Sequence, residues 1–301
     1  MAVIILDGVA AGGVSAYALT DLATMRAAPW SIPVAGVGAV GDVSLSFLIN
    51  AVTDMIEREL DHKVAARDYA GWHDGSGARY ITLPEWPLNS VSRVNIGTLD
   101  ALNVECNDPL ATEAYAEVNK AGTQLSLTIL DGANAGTTDL AFAAGGQTTL
   151  TGLAAAINAA AGSWTGTALS GYGGYRSNTL RPCGRRECYG STATFQIPEE
   201  GEAEYRTDYE YGQIILNGGF SRGYRNVYVE YNAGYEDIPP TLALLACEFV
   251  AQAYYKGKKD AYLKSETLGD YSWTAGDSTS GIDMTSANMR RRLAPFMNNP
   301  I

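Results

Sequence analysis

The sequence predicts an α+β fold: a helical body, an antiparallel β extension and an inserted β-α-β domain. Apolar residues recur every three or four positions near both ends, and stretches alternating with period two lie between them. Residues 99–190 differ from both in having few charges and many Ala, Gly and Thr. Residues 1–98 and 191–301 are therefore assigned to one body of helices plus β extension, and 99–190 to a peripheral inserted module. A chain of 301 residues has room for this, since domains commonly run to roughly 100–200 residues.

Thr20 or Asp21 caps the first helix, "DLATMRAA", which must stop before Pro29 because the residue ahead of a proline is pushed out of the α region. A Pro/Gly-rich link leads to Gly41. Asp42 or Ser44 then opens a long helix, with Leu45, Leu48, Val52, Met55, Ile56 and Leu60 on one face and Asp54, Glu57, Arg58 and Glu59 mainly on the other. From Lys63 the period changes to two. "KVAARDYAGW", a turn at "DGSGA" and "RYITL" predict a hairpin, and "SVSRVNI" predicts a further strand. Between these lies "PEWP". Pro84 and Pro87 cannot donate to a strand ladder, so the crossing reads as a stiff hinge with Trp86 wedged at the contact.

In the 99–190 segment, "TQLSLTIL" and "TDLAFAA" alternate as strands, Thr149 or Thr151 caps the helix "LTGLAAAINAAAG", and "WTGTALS" returns as a strand. Tyrosine-rich alternation resumes in "AEYRTDYEYGQIILNG" and "RNVYVEYNAGY". Pro239 and Pro240 begin the strongest helix, whose stripe is Leu242, Leu245, Ala246, Phe249, Val250 and Ala253. A long polar loop then leads to a final helix capped by Thr285 or Ser286. Met289, Leu293 and Phe296 face one way on it, opposite Arg290 and Arg291.

Composition argues against several functions. A balance of 21 basic and 33 acidic residues, −12 in all, opposes gripping a phosphate backbone through counterion release. No run reaches the ~18 apolar residues of a membrane span. "AYA" at residues 16–18 mimics a leader cleavage site, but no Lys or Arg precedes Arg26 and Asp7 interrupts the apolar run, so the expected compartment is the cytoplasm or the assembly that receives the chain. Cys106, Cys183, Cys188 and Cys247 are too few for a disulfide scaffold, and the C-x4-C pair in "RPCGRREC" either closes a loop or stays free. That pair lacks two further zinc ligands, and His62 and His73 are the only histidines, so no metal is expected. Phosphate-loop, zinc-protease and hydrolase-elbow motifs are absent from the sequence, so no catalytic residue and no cofactor are expected either.

The carboxylates of "IPEEGEAEYRTDYEYG" come nearest to paired acids for glycoside chemistry. Without a desolvated pocket they read instead as a solvated edge or channel wall that keeps like strands apart. Tyr205, Tyr209, Tyr211, Tyr228 and Tyr231 fit a stacking platform for sugars or bases. Large rings with polar tips serve more often as cross-strand pairs or subunit contacts, and Tyr205, Tyr209, Tyr228 and Tyr231 are expected at such contacts.

Six stretches in a fixed order carry a resemblance: "MIERELDHKV", "ITLPEWPLNSVSRVNI", "YGQIIL", "VYVEYNAGYEDIPPTLALLACEFVAQAYY", "SETLGDYSW" and "RRRLAPFM". Together, across residues 15–97 and 204–297, the chain resembles the head-tail connector (adaptor) proteins of tailed bacteriophages. "LPEWPLNSV" and "YNAGYEDIPP" are the most specific parts. The resemblance implies rings of identical subunits, commonly twelve, between the portal protein and a stopper or tail-completion protein. It also implies a place in the neck of a virion assembled in the host cytoplasm, a lumen that DNA crosses without specific binding, no membrane and no catalytic residues. In that setting Met289, Arg290, Arg291, Leu293 and Phe296 meet a neighbour or the portal, and Pro84, Trp86 and Pro87 fix the angle between body and extension. Residues 99–190 depart from the pattern. "LTILDGANAGTTDLAFAAGGQTTLTGLAAAINAAAG" is similar to the small β-α-β modules of flagellin and hook-associated proteins, which implies a decoration on the ring. The alternative is a carbohydrate- or surface-binding β module of a phage or bacterial appendage, and an enzyme is the third reading.

Overall fold

The structure is a computed structural model that describes residues 3–4, 13–34, 40–199, 204–257, 265–268, 271–274 and 291–297. In chain order the elements are β1 (Val3–Ile4), α1 (Leu22–Arg26), α2 (Asp42–Leu60), β2 (Arg67–Gly75), β3 (Tyr80–Thr82), β4 (Leu88–Ile96), β5 (Thr98–Cys106), β6 (Ala114–Val118), β7 (Gln124–Ile129) and β8 (Gly136–Ala141). They continue with α3 (Leu150–Ala159), β9 (Trp164–Ala168), β10 (Cys183–Glu187), β11 (Ala193–Pro198), β12 (Tyr205–Asp208), β13 (Gln213–Leu216), β14 (Gly223–Ala233), α4 (Pro240–Gly257), β15 (Ser265–Leu268) and β16 (Tyr271–Thr274). Helices and antiparallel sheets coexist, as the α+β prediction requires. The chain divides into two compact units, one of residues 1–5, 67–84 and 88–232, the other of residues 6–66, 85–87 and 233–301.

The second unit is built on α2 and α4, which pack together. Leu45, Ile49, Val52, Ile56 and Leu60 share one buried cluster with Leu242, Leu245, Phe249 and Val250. Each such side chain contributes about 1.5–3 kcal/mol on burial, so this seam dominates the stability of the unit. Glu57 departs from expectation. It is 4% exposed, not on the wet face, because its carboxylate accepts from Lys63 Nζ at 2.7 Å and from the Val64 N–H at 3.3 Å. Asp21 proves to be the cap of α1, its carboxylate accepting the Thr24 N–H at 2.7 Å. Arg26 then secures the proline-rich link, donating to the carbonyls of Ile32, Pro33 and Val40 and pairing with Asp42 at 2.6 Å.

In the first unit the sheets run β1-β2-β14-β4, β10-β6-β7-β8, β11-β5-β9 and β12-β13-β3. The expected β2–β3 hairpin does not form. β1 and β14 occupy both edges of β2, so β3 pairs with β13, Ile81 opposite Ile214. Residues 99–190 share this unit with the β extension. Their core is completed by β11, beyond the expected boundary at 190: Leu102, Val104, Leu127, Leu153 and Ile157 are buried together with Ala193, Phe195 and Ile197. Thr149 caps α3, its hydroxyl accepting the Gly152 N–H at 3.2 Å. The strand-helix-strand order β8-α3-β9 is present, but its two strands lie in different sheets. All four cysteines are free, Cys183 and Cys188 included. Burial holds the Cys106 and Cys247 thiols up and pushes Cys188 up to about 12, which keeps them unreactive. Among the described residues no helix is long and apolar enough to cross a membrane.

Candidate assembly junction

The two most specific motifs, some 150 residues apart in the chain, meet in the second unit. After α2, Asp61 takes the left-handed conformation that ends the helix, and the chain turns through His62 to Ala66. From "PEWP", the carboxylate of Glu85 accepts the Lys63 N–H at 2.8 Å, and the Trp86 ring lies 5.0 Å from the His62 ring. From "NAGY", the Gly234 N–H donates to the Pro87 carbonyl at 2.9 Å, while Tyr235 donates to Val64 O at 2.7 Å and accepts from the Ala66 N–H at 3.0 Å. Gly234 has φ +108°, and a Cβ there would stand 2.7 Å from the Ala65 carbonyl oxygen, so only glycine fits without displacing backbone. His62 is buried, with Nδ1 3.1 Å from Leu60 O, and burial lowers its pKa against the opposing pull of that carbonyl and of Glu57 and Asp61. The chain enters and leaves this unit across Glu85–Pro87, with Pro84 on the far side of the boundary. Sequence reasoning found the prolines and Trp86 but missed Glu57, His62, Glu85 and Gly234. The glycine between Tyr231 and Tyr235, just after β14, was the available signal.

The terminal segment closes the junction from within the same unit. Tyr235 meets Phe296 edge to face at 6.3 Å, and Leu293 is fully buried in the α2–α4 cluster with Phe296 and Met297 packed against it. Arg292 binds Glu248 of α4, Nη1 to Oε2, at 2.6 Å. Leu293 and Phe296, expected to reach a neighbour or the portal, therefore serve their own chain, because the apolar row is taken up by the nearest apolar cluster. Arg291 is exposed. Met289, Arg290 and the expected caps Thr285 and Ser286 lie outside the described residues.

The tyrosines divide in the same way. Tyr231 stacks on Tyr69 at 5.2 Å and Tyr228 meets Trp72 edge-on at 5.3 Å, both buried between strands, so neither ring offers surface for a subunit contact. Burial raises the Tyr228 pKa, and its hydroxyl donates to Glu230 at 3.0 Å. Tyr205 is half-buried and donates to Val91 O at 3.1 Å. Tyr209 and Tyr211 remain exposed. Among the described residues no group of three His, Cys, Asp or Glu side chains is placed to hold a metal.

Among solved structures, a particle neck is weakly similar. A chain of "Neck of empty GTA particle computed with C6 symmetry" matches at TM-score 0.36 and 12% identity, covering 89% of this chain and 84% of that one. No protein-family model matches the chain, and no curated protein does. A likeness of this strength carries no argument about function.

Proposed function

We propose that the chain is a structural head-tail connector of a tailed phage, non-enzymatic, forming a ring under the portal and above a stopper or tail-completion protein. The reading rests on the sequence resemblance and on one observation: "PEWP" and "YNAGY", the motifs that carry it, are hydrogen-bonded to each other around Pro87 and Gly234. Motifs that form one packed junction constrain each other, which two chance matches would not. Exposed Arg291 is the portal-facing group that the described structure leaves available, with Tyr209 as a contact between copies. Around a twelve-fold ring the contacts are heterologous and must close, which requires a stiff junction. The net charge of −12 gives a lumen that DNA crosses without sticking.

Negative-stain imaging of the purified chain mixed with its portal protein tests this. Rings seated on the portal are the expected result. A chain that stays monomeric and leaves the portal bare would overturn the reading.

A further inference from the structure

The first unit contains a cavity of about 290 Å³ that nothing above uses, where residues 176 and 178 lie over one face of β2, β14 and β4. Trp72 fixes this covering segment, its indole N–H donating to the Thr179 carbonyl at 3.2 Å while its ring packs on Tyr228. The volume falls just below the roughly 300–1,000 Å³ of pockets for drug-sized ligands, so it suits one small molecule.

The polar lining is only half used. Asp68 receives the Asn232 amide on Oδ1 at 2.8 Å, and Glu230 receives the Tyr228 hydroxyl on Oε1 at 3.0 Å, which leaves the second oxygen of each carboxylate open among the described residues. The side-chain oxygen of Asn178 is buried with no hydrogen-bond partner among the described residues. An orphaned buried acceptor is costly unless something donates to it. The Ser90 hydroxyl and the exposed Arg176 guanidinium complete the lining. Two carboxylates and one guanidinium give neither an anion nor a cation a wall of uniform opposite charge. Open acceptors beside open donors call for a neutral ligand whose groups do both, and a hydroxyl both donates and accepts. We propose that this cavity binds a single hexose unit, with Asn178, Glu230 and Asp68 taking hydroxyl protons and Arg176 donating to a ring or hydroxyl oxygen. The site is independent of the ring assembly.

Saturation-transfer NMR on the full chain, with D-glucose, D-galactose and N-acetyl-D-glucosamine each titrated to about 50 mM, tests the proposal at the affinity expected for one sugar in a small pocket, on the order of 1 mM. At least one sugar should saturate. Affinity should fall about tenfold or more in Asn178→Ala and in Glu230→Gln, the loss expected when a hydrogen bond to a buried or charged group is removed. Arg176→Ala, at an exposed position, provides a weakened variant whose near-ultraviolet spectrum should match the parent. No saturation by any of the three sugars would overturn the site, as would equal binding by all three variants, or saturation by L-argininamide alone.

Discussion

His73 lies on β2 with its ring buried, and burial pushes its pKa down to about 4 against a small opposing pull from Asp74. The unfolded chain takes up this proton near pH 6.5 and the folded chain only near pH 4, so the contribution is complete above about 6.5 and is lost as pH falls through that window. On the order of 3 kcal/mol is at stake, at 1.36 kcal/mol per pKa unit. His73→Phe should flatten the dependence of urea midpoint on pH between 6.5 and 4, and an unchanged slope would exclude His73 as its source. Gly234 gives a second residue-scale test. Gly234→Ala forces a Cβ against Ala65 at positive φ and should cost about 1–3 kcal/mol of stability, read from chemical denaturation. The sequence announced Gly234 only as a glycine between a strand and the helix that follows it. The neighbour that makes it obligatory is some 170 residues away and has no local signature.

At the scale of elements, α2, α3 and α4 were legible because a 3.6-residue period with caps is written locally, and each appears within a few residues of its expected span. The β2–β3 hairpin was not, since which strand wins an edge is a competition with β14, far along the chain. The terminal segment shows the same limit: of its expected apolar row, Leu293 and Phe296 pack on their own chain, a destination that no local pattern encodes. With Leu293 fully buried, Leu293→Ala should destabilise by about 2–5 kcal/mol in thermal or urea unfolding. Removing residues 283–301 should therefore loosen the second unit, not merely cancel a contact with another protein. Arg291→Ala, at an exposed site, is the cleaner probe of portal attachment and should leave unfolding within about 0.5 kcal/mol of the parent.

For the whole molecule, composition revealed that residues 99–190 differ from the rest, but their core takes in β11 beyond that stretch, and their shared unit with the β extension depends on contacts such as Trp72 to Thr179 that no pattern encodes. The polar cavity was equally hidden, since its lining comes from four separate stretches. If identical copies assemble, the second unit has apolar surface to offer. Val43 and Phe47, one turn apart on α2, are 66% and 72% exposed. Phe47→Asp should leave the unfolding midpoint unchanged while converting rings to monomers in native mass spectrometry, and intact rings would place the contact elsewhere. The hydrogen bond between Asp68 and Asn232 has a different bearing. It ties the first and last strands of a nearly continuous stretch, residues 67–232, interrupted only at 85–87. With those two strands fastened side by side, the chain leaves the stretch next to where it entered.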